Sequence, residues 1–190
     1  MSARGLDQNP APVRRARSQL TLTAGEKAIY PGLGPCRISR IEKRVVDEET
    51  MMFYHLVVLD DSRGDLFIPV EKARAIGVRL MMKKSEIPKL FAHLQKGAKT
   101  ADNWKQRATD NSKLFNSGSP FDLAEIVASL TGLKGTRPLT LGESGTLERA
   151  RRLLVCEISE VMGETRTAAE EQVGQALNEP KQAEESAEWP

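Results

Sequence analysis

Apolar residues along this chain change their spacing once, near residue 80, and that change constrains the fold more than any other feature of the sequence. Between Ala24 and about Arg79, short apolar runs alternate with turn residues, the signature of strands. Ala28-Ile29-Tyr30 predicts a short strand. Pro31-Gly32-Leu33-Gly34-Pro35 predicts a turn, because Gly supplies positive φ and Pro cannot continue a ladder. Residues 36–46 read as a strand whose apolar spacing slips once, the mark of a bulge. Asp47-Glu48-Glu49-Thr50 turns the chain into residues 51–59, a strand apolar on both faces. Asp60-Asp61-Ser62-Arg63-Gly64 reads as a hairpin loop, and Leu66-Phe67-Ile68-Pro69 as the returning strand.

From Ser85 the period becomes helical. Ser85-x-x-Pro88 opens a helix with Ile87, Leu90, Phe91 and Leu94 on one face, and Gly97 stops it. A second helix is expected from about Ala101 through Leu114, ended by Asn116-Ser117-Gly118-Ser119-Pro120. A third, 121–131, aligns Leu123, Ile126, Val127 and Leu130; residues 133–138 read as a loop. Thr140-x-x-Glu143 is a capping box that starts the last helix, with Leu147, Ala150, Leu154 and Ile158 along one side. The expected class is α+β: a small, strongly bent Tudor- or SH3-like β-barrel followed by a helical bundle. The expected divisions are a disordered basic arm at 1–20, the barrel at 21–82 and the bundle at 83–163. An acidic tail at 164–190, partly helical or disordered, completes the chain. Neither end is expected to build core.

The net charge of +2 hides a strong asymmetry. From Arg79 to Lys113 nine Lys or Arg stand against three acids, Glu86, Asp102 and Asp110. Arg149, Arg151 and Arg152 form a second basic cluster on the last helix, and seven Glu after residue 163 mask both. A charge run is usually a solvated face. Here the two runs flank Asn103-Trp104-Lys105-Gln106-Arg107, which carries one of two tryptophans in a polar setting. An exposed indole between cations suits nucleic acid, since cations meet phosphates and an apolar ring can wedge against a base step. The alternative is an indole that caps a small helical core with its N–H in water.

Several classes are disfavoured. Cys36 and Cys156 lie far apart with no second Cys or His at ligand spacing, so neither a disulfide framework nor a zinc site is expected. Both read as small core fillers. No apolar run reaches the roughly 20 residues of a membrane span, and no signal sequence follows Arg14, Arg15 and Arg17, so a cytoplasmic location is expected. The chain has no phosphate-binding glycine loop, nucleophile elbow or zinc-protease motif. His55 and His93 have no catalytic partner at triad spacing and read as structural. Neither an enzyme nor a cofactor is expected, and the chain reads as a monomer with no membrane partner.

Five pieces in order resemble the CarD/CdnL family of bacterial transcription regulators, over about residues 22–162. Gly25-Glu26-Lys27-Ala28-Ile29-Tyr30-Pro31-Gly32-Leu33-Gly34 is similar to that family's opening motif. Ile68-Pro69-Val70 with Ile76-Gly77-Val78-Arg79 resembles the end of its first module. Trp104, Arg107 and Asn111 fit its W-x-x-R-x-x-x-N helix. Leu139-Thr140-x-Gly142-Glu143 and the run Arg149 to Glu157 resemble its last helix. The resemblance implies a Tudor-like module that binds the RNA polymerase β subunit, here through Arg44, Phe53, Phe67 and Pro69. It also implies a helical domain that contacts promoter DNA, weakly and with little sequence preference, at the upstream edge of the melted bubble. Trp104 would be the minor-groove wedge, with Lys105, Arg107, Arg151 and Arg152 gripping phosphates. The chain departs from the family at Ala108-Thr109-Asp110, where an aromatic or basic residue is usual, and at Ser144-Gly145, where basic residues are. These departures favour a protein-interaction adaptor without productive DNA contact. An RNA-binding barrel is a third reading, set back by the acids at 47–49, 60–61 and 65.

Overall fold

Turn chemistry shapes the first half. The structure, a computed structural model, describes residues 21–59, 64–97 and 103–178. The expected basic arm, the hairpin loop at 60–63, the expected start of the second helix at 101–102 and the end of the acidic tail lie outside the described residues.

Strand β1 (Lys27–Tyr30) pairs with β2 (Gly34–Val46), and β2 with β3 (Glu49–Val58), all antiparallel. The β2–β3 turn places Asp47 and Glu48 at φ 51 and 66, the double left-handed conformation whose twist matches a two-residue hairpin. The expected slip is a register shift between Ile38 and Arg40. Before it, Cys36 and Ile38 point into the core; after it, Arg40 and Glu42 share a face with His55 and Phe53, their cross-strand partners. β4 (Asp65–Pro69) pairs with β3, and β5 (Arg79–Leu80) with β1. The sheet order is β4-β3-β2-β1-β5, so the sheet is open rather than closed into a barrel. Between β4 and β5 lies α1 (Val70–Ile76), a helix that the strand-like reading up to Arg79 missed. Its seven residues are too few to show a helical period; Pro69 leads in, and Gly77 ends it at φ 95. The core of this half joins Leu22, Tyr54, Leu56, Ile68 and Val78, with the Tyr54 hydroxyl accepting from the Leu22 N–H at 3.0 Å.

In the second half α2 (Ile87–Gln95) follows a short 3-10 turn at Lys84–Glu86. The Glu86 carboxylate, not Ser85, holds this entry by accepting from the Lys83 N–H at 2.8 Å. α3 (Trp104–Ser117) begins at Asn103, whose side chain accepts from the Lys105 N–H at 2.9 Å. α4 spans Pro120–Thr136, so the expected loop at 133–138 is mostly helix: Leu133 packs on the core and holds the last turn despite Gly132 and Gly135. α5 (Leu141–Met162) starts at the expected capping box, and α6 spans Arg166–Asn178. α6 corrects the expectation that the C-terminal segment builds no core. Ala169, Val173 and Ala176 are buried with Leu90, Ile126, Leu130 and Leu154. Three residues at i, i+4 and i+7 on an otherwise charged segment make a narrow stripe, easily read as tail. Cys36 and Cys156 are buried and unpaired with each other.

Candidate nucleic-acid and polymerase interfaces

α3 exposes nearly all of its length. Its sole fully buried side chain is Arg107, while Leu114 and Phe115 anchor its far end on the helical core. Trp104 is 64% exposed in the first turn, with the Lys105 ammonium 5.6 Å from its ring. The indole is therefore not a cap on the core.

Arg107 sits elsewhere than the sequence suggests. It is 8% exposed and donates Nε to Glu143 Oε1 on α5 at 3.1 Å. A buried, paired guanidinium is poorly placed to grip a phosphate; it ties the Trp104 end of α3 to the start of α5. Arg137 donates to both Glu143 oxygens at 3.1 and 2.8 Å, and the Thr140 N–H and hydroxyl donate to Oε2 at 2.9 and 3.1 Å. The Arg137 guanidinium foremost, then Thr140 and Arg107, against the opposing effect of burial, lower the Glu143 carboxyl to about 2.

The last-helix arginines separate. Arg151 pairs with Glu170 of α6 and so faces the bundle's side. Arg152 is exposed, with no ion-pair partner among the described residues. Arg149, three residues before Arg152 and on the same face, lies over the Phe115 ring at 4.6 Å and donates to the Gly32 carbonyl at 3.2 Å. Sequence reasoning placed Arg149 in the basic cluster but not at the site. Its i, i+3 relation to Arg152 was the available signal.

The four residues expected to face polymerase come together on the outer face of the sheet. The Arg44 guanidinium lies 3.6 Å from the Phe67 ring centroid and 5.9 Å from that of Phe53. Phe53 pairs in register with Pro69. His55, read as structural, stacks on Phe67 at 4.4 Å and 7°, and its Nε2 lies 3.1 Å from Asp65. Glu42 bridges Arg40 and Arg44, whose guanidiniums hold its carboxyl below the usual range, Arg40 first. This cluster borders β4, an edge strand with one side unpaired within the sheet.

The sheet and the helices share one frame. Glu157, 1% exposed in the C-terminal half of α5, accepts two bonds from Arg79 of β5, both 2.7 Å, and one from the Met82 N–H at 2.9 Å. Arg79 Nε also donates at 2.6 Å to the carbonyl of Gly118, which ends α3. The β1–β2 turn is wedged at the same junction. An added Cβ at Gly34 would meet Leu153 at 3.1 Å, and one at Gly118 would meet Pro31 at 3.3 Å.

Residues 22–80 match the CarD-like/TRCF RID domain, and residues 89–174 match the CarD C-terminal domain. The chain belongs to the CarD/CdnL family of transcription regulators. Its relatives include the Bacillus subtilis (strain 168) protein named "Putative transcription factor YdeB", 26% identical over 144 residues, covering 74% of this chain and 92% of that protein. The open five-stranded sheet followed by helices is the Tudor-like architecture expected of the family. Among the described residues no helix is long and apolar enough to cross a membrane, and no group of three or more His, Cys, Asp or Glu could hold a metal ion.

Proposed function

We propose that this CarD-family regulator docks on the RNA polymerase β subunit through the Arg44, Phe53, Phe67 and Pro69 face and the adjoining β4 edge. From there it sets Trp104 against promoter DNA at the upstream border of the melted bubble. Strand addition at an unpaired edge supplies backbone hydrogen bonds, and the neighbouring aromatic and cationic side chains supply selectivity. Trp104, Lys105, Arg149 and Arg152 are too few to hold duplex DNA alone at physiological salt. Tethering to polymerase raises their effective concentration at the promoter, so weak contacts suffice. A protein that contacts melted DNA better than closed DNA shifts the population toward the open complex.

The observation that carries this reading is a large apolar ring held 64% exposed on a helix whose own end is locked by a buried ion pair. The test is Trp104→Ala in the full chain. Its melting temperature should stay within a degree or two of wild type, while open complexes should decay faster. Unchanged decay would remove the wedge and favour the adaptor reading, which the internal pairing of Arg107 and Arg151 supports. Arg44→Ala should weaken capture of polymerase by the full chain without moving its melting temperature.

A further inference from the structure

The β2–β3 hairpin runs past the body of the sheet. β1 pairs with β2 only as far as Arg37, and β4 with β3 only as far as Phe53, so residues 43–52 form a two-stranded ribbon. One face of this ribbon is occupied: Arg44 lies over Phe67 and Phe53 and pairs with Glu42. The other face is bare. Ile41, Lys43 and Val45 stand opposite Tyr54, Met52 and Thr50, and cross-strand partners share a face. Tyr54 is buried in the core of the sheet, so this is the core-side face carried out beyond the core. There Val45 is 71% exposed, with Ile41 and Met52 exposed beside it. Single exposed apolar residues are ordinary. Three along one face of a two-stranded ribbon, which needs packing for its stability, call for a cover. At the ribbon's tip Asp47, Glu48 and Glu49 have no ion-pair partner among the described residues. They outnumber the charge of Lys43.

The chain enters the sheet from the direction of that tip. β1 is antiparallel to β2, with Lys27 opposite Arg37, and just before it Gly25 and Glu26 bond to Ile38. Going back along the sequence is therefore going out along the ribbon. Buried Leu22 donates its N–H to the Tyr54 hydroxyl at 3.0 Å, which brings the chain onto the core-side face next to Ile41. In an extended chain Leu20 faces the same side as Leu22. Arg17, Arg15 and Arg14 precede Leu22 by five, seven and eight residues, a reach of roughly 17–26 Å for an extended chain. Asp47 lies six residues beyond Ile41, roughly 20 Å along β2. Apolar residue meets apolar stripe and cations meet acids in one register.

We propose that residues 13–20 of this chain lie along the core-side face of the β2–β3 ribbon. Leu20 covers Ile41 and Met52, and Arg14, Arg15 and Arg17 meet the acids at the tip. The segment is then a splint that stiffens the ribbon from behind and leaves its Arg44 and Phe53 face open to a partner. This seat stands independently of the polymerase and DNA readings.

A nitroxide on Ser18→Cys of the full chain tests it, because Cys36 and Cys156 are buried and stay unlabelled. The amide NMR signals of Lys43, Val45, Thr50 and Met52 should be lost to the spin label, while those of Leu130 and Leu154 in the helical core remain. Val45→Asp, at an exposed position, should restore the ribbon signals, as should Arg14, Arg15 and Arg17 all changed to Glu. Deleting residues 1–20 should shift the same ribbon amides and leave the helical ones in place. Ribbon signals that survive the label overturn the proposal, as do losses spread evenly over the surface or losses that persist in either variant. Isotope-labelled chain without the nitroxide, mixed with spin-labelled chain without the isotope, should keep all its signals. Ribbon losses in that mixture would make a second copy the occupant and overturn the proposal as well.

Discussion

Glu143 is the residue on which the site turns. One carboxylate caps α5, accepts from Thr140 and Arg137, and anchors Arg107 of the Trp104 helix. Its carboxyl lies at about 2 in the folded protein, below the ordinary 4.5. A depressed folded value means stabilisation that is complete above the unfolded pKa and is lost as pH falls from about 4.5 toward 2. Glu143→Gln should therefore lower stability at neutral pH and flatten that part of the acid limb, as read by thermal melts from pH 7 to pH 2. The capping box was legible because Thr and Glu three apart fill reciprocal local roles. The Arg107 bond was not, because its partner lies 36 residues away and an Arg beside a Trp in a polar run looks solvent-facing from sequence. Arg151 and Arg152 make the same point. Arg152→Ala should lower DNA affinity and reduce the salt slope by about one counterion. Arg151→Ala should act mainly by loosening α6 from α5. Equal effects of the two on the salt slope would contradict that division.

At the scale of elements, the turns and the α5 capping box were readable, while the entry to α2 and the packing-dependent helices were not. The β2–β3 turn was placed from Asp47-Glu48-Glu49-Thr50; Asp47 suits its left-handed position, but Glu48 stands where that conformation favours glycine. Glu48→Gly should stabilise the hairpin by roughly 0.5–1 kcal/mol, relief of left-handed strain being partly offset by the freer unfolded chain. Urea denaturation of the full chain measures it, and a loss of stability would show that the Glu48 side chain makes a compensating contact. α4 outruns its expected end by five residues because Leu133 finds core, a benefit no local propensity records. α6 was legible only as the helical part of the 164–190 tail, and its role in the core was not. Its buried stripe is only Ala169, Val173 and Ala176, and its value depends on the α2 and α5 surfaces beneath it.

For the whole molecule, the decisive contact is Arg79 with Glu157. It joins β5, the end of α3 and the C-terminal half of α5, and so ties the sheet to the helices that carry Trp104. Glu157→Ala leaves the half-buried Arg79 guanidinium with only the Gly118 and Leu80 carbonyls and the Met82 N–H without its acceptor, which should cost about 1–3 kcal/mol. Calorimetry should show one cooperative transition in wild type and separated transitions in the variant; a single, merely shifted transition would mean that other contacts hold the halves together. By itself the sequence determined the order and kind of most elements, the change of period near residue 80 and the family, and it left Trp104 open between an exposed ring and a cap on the core. These rest on short-range physics: period, turn chemistry, caps and a polar setting act within a few residues. The tertiary structure decided which arginines are free, that the sheet stays open, that α6 belongs to the core, and that Trp104 is exposed. Each of these depends on what the chain brings into contact from afar. A guanidinium is a phosphate ligand or a structural tie according to whether a carboxylate from another element reaches it first.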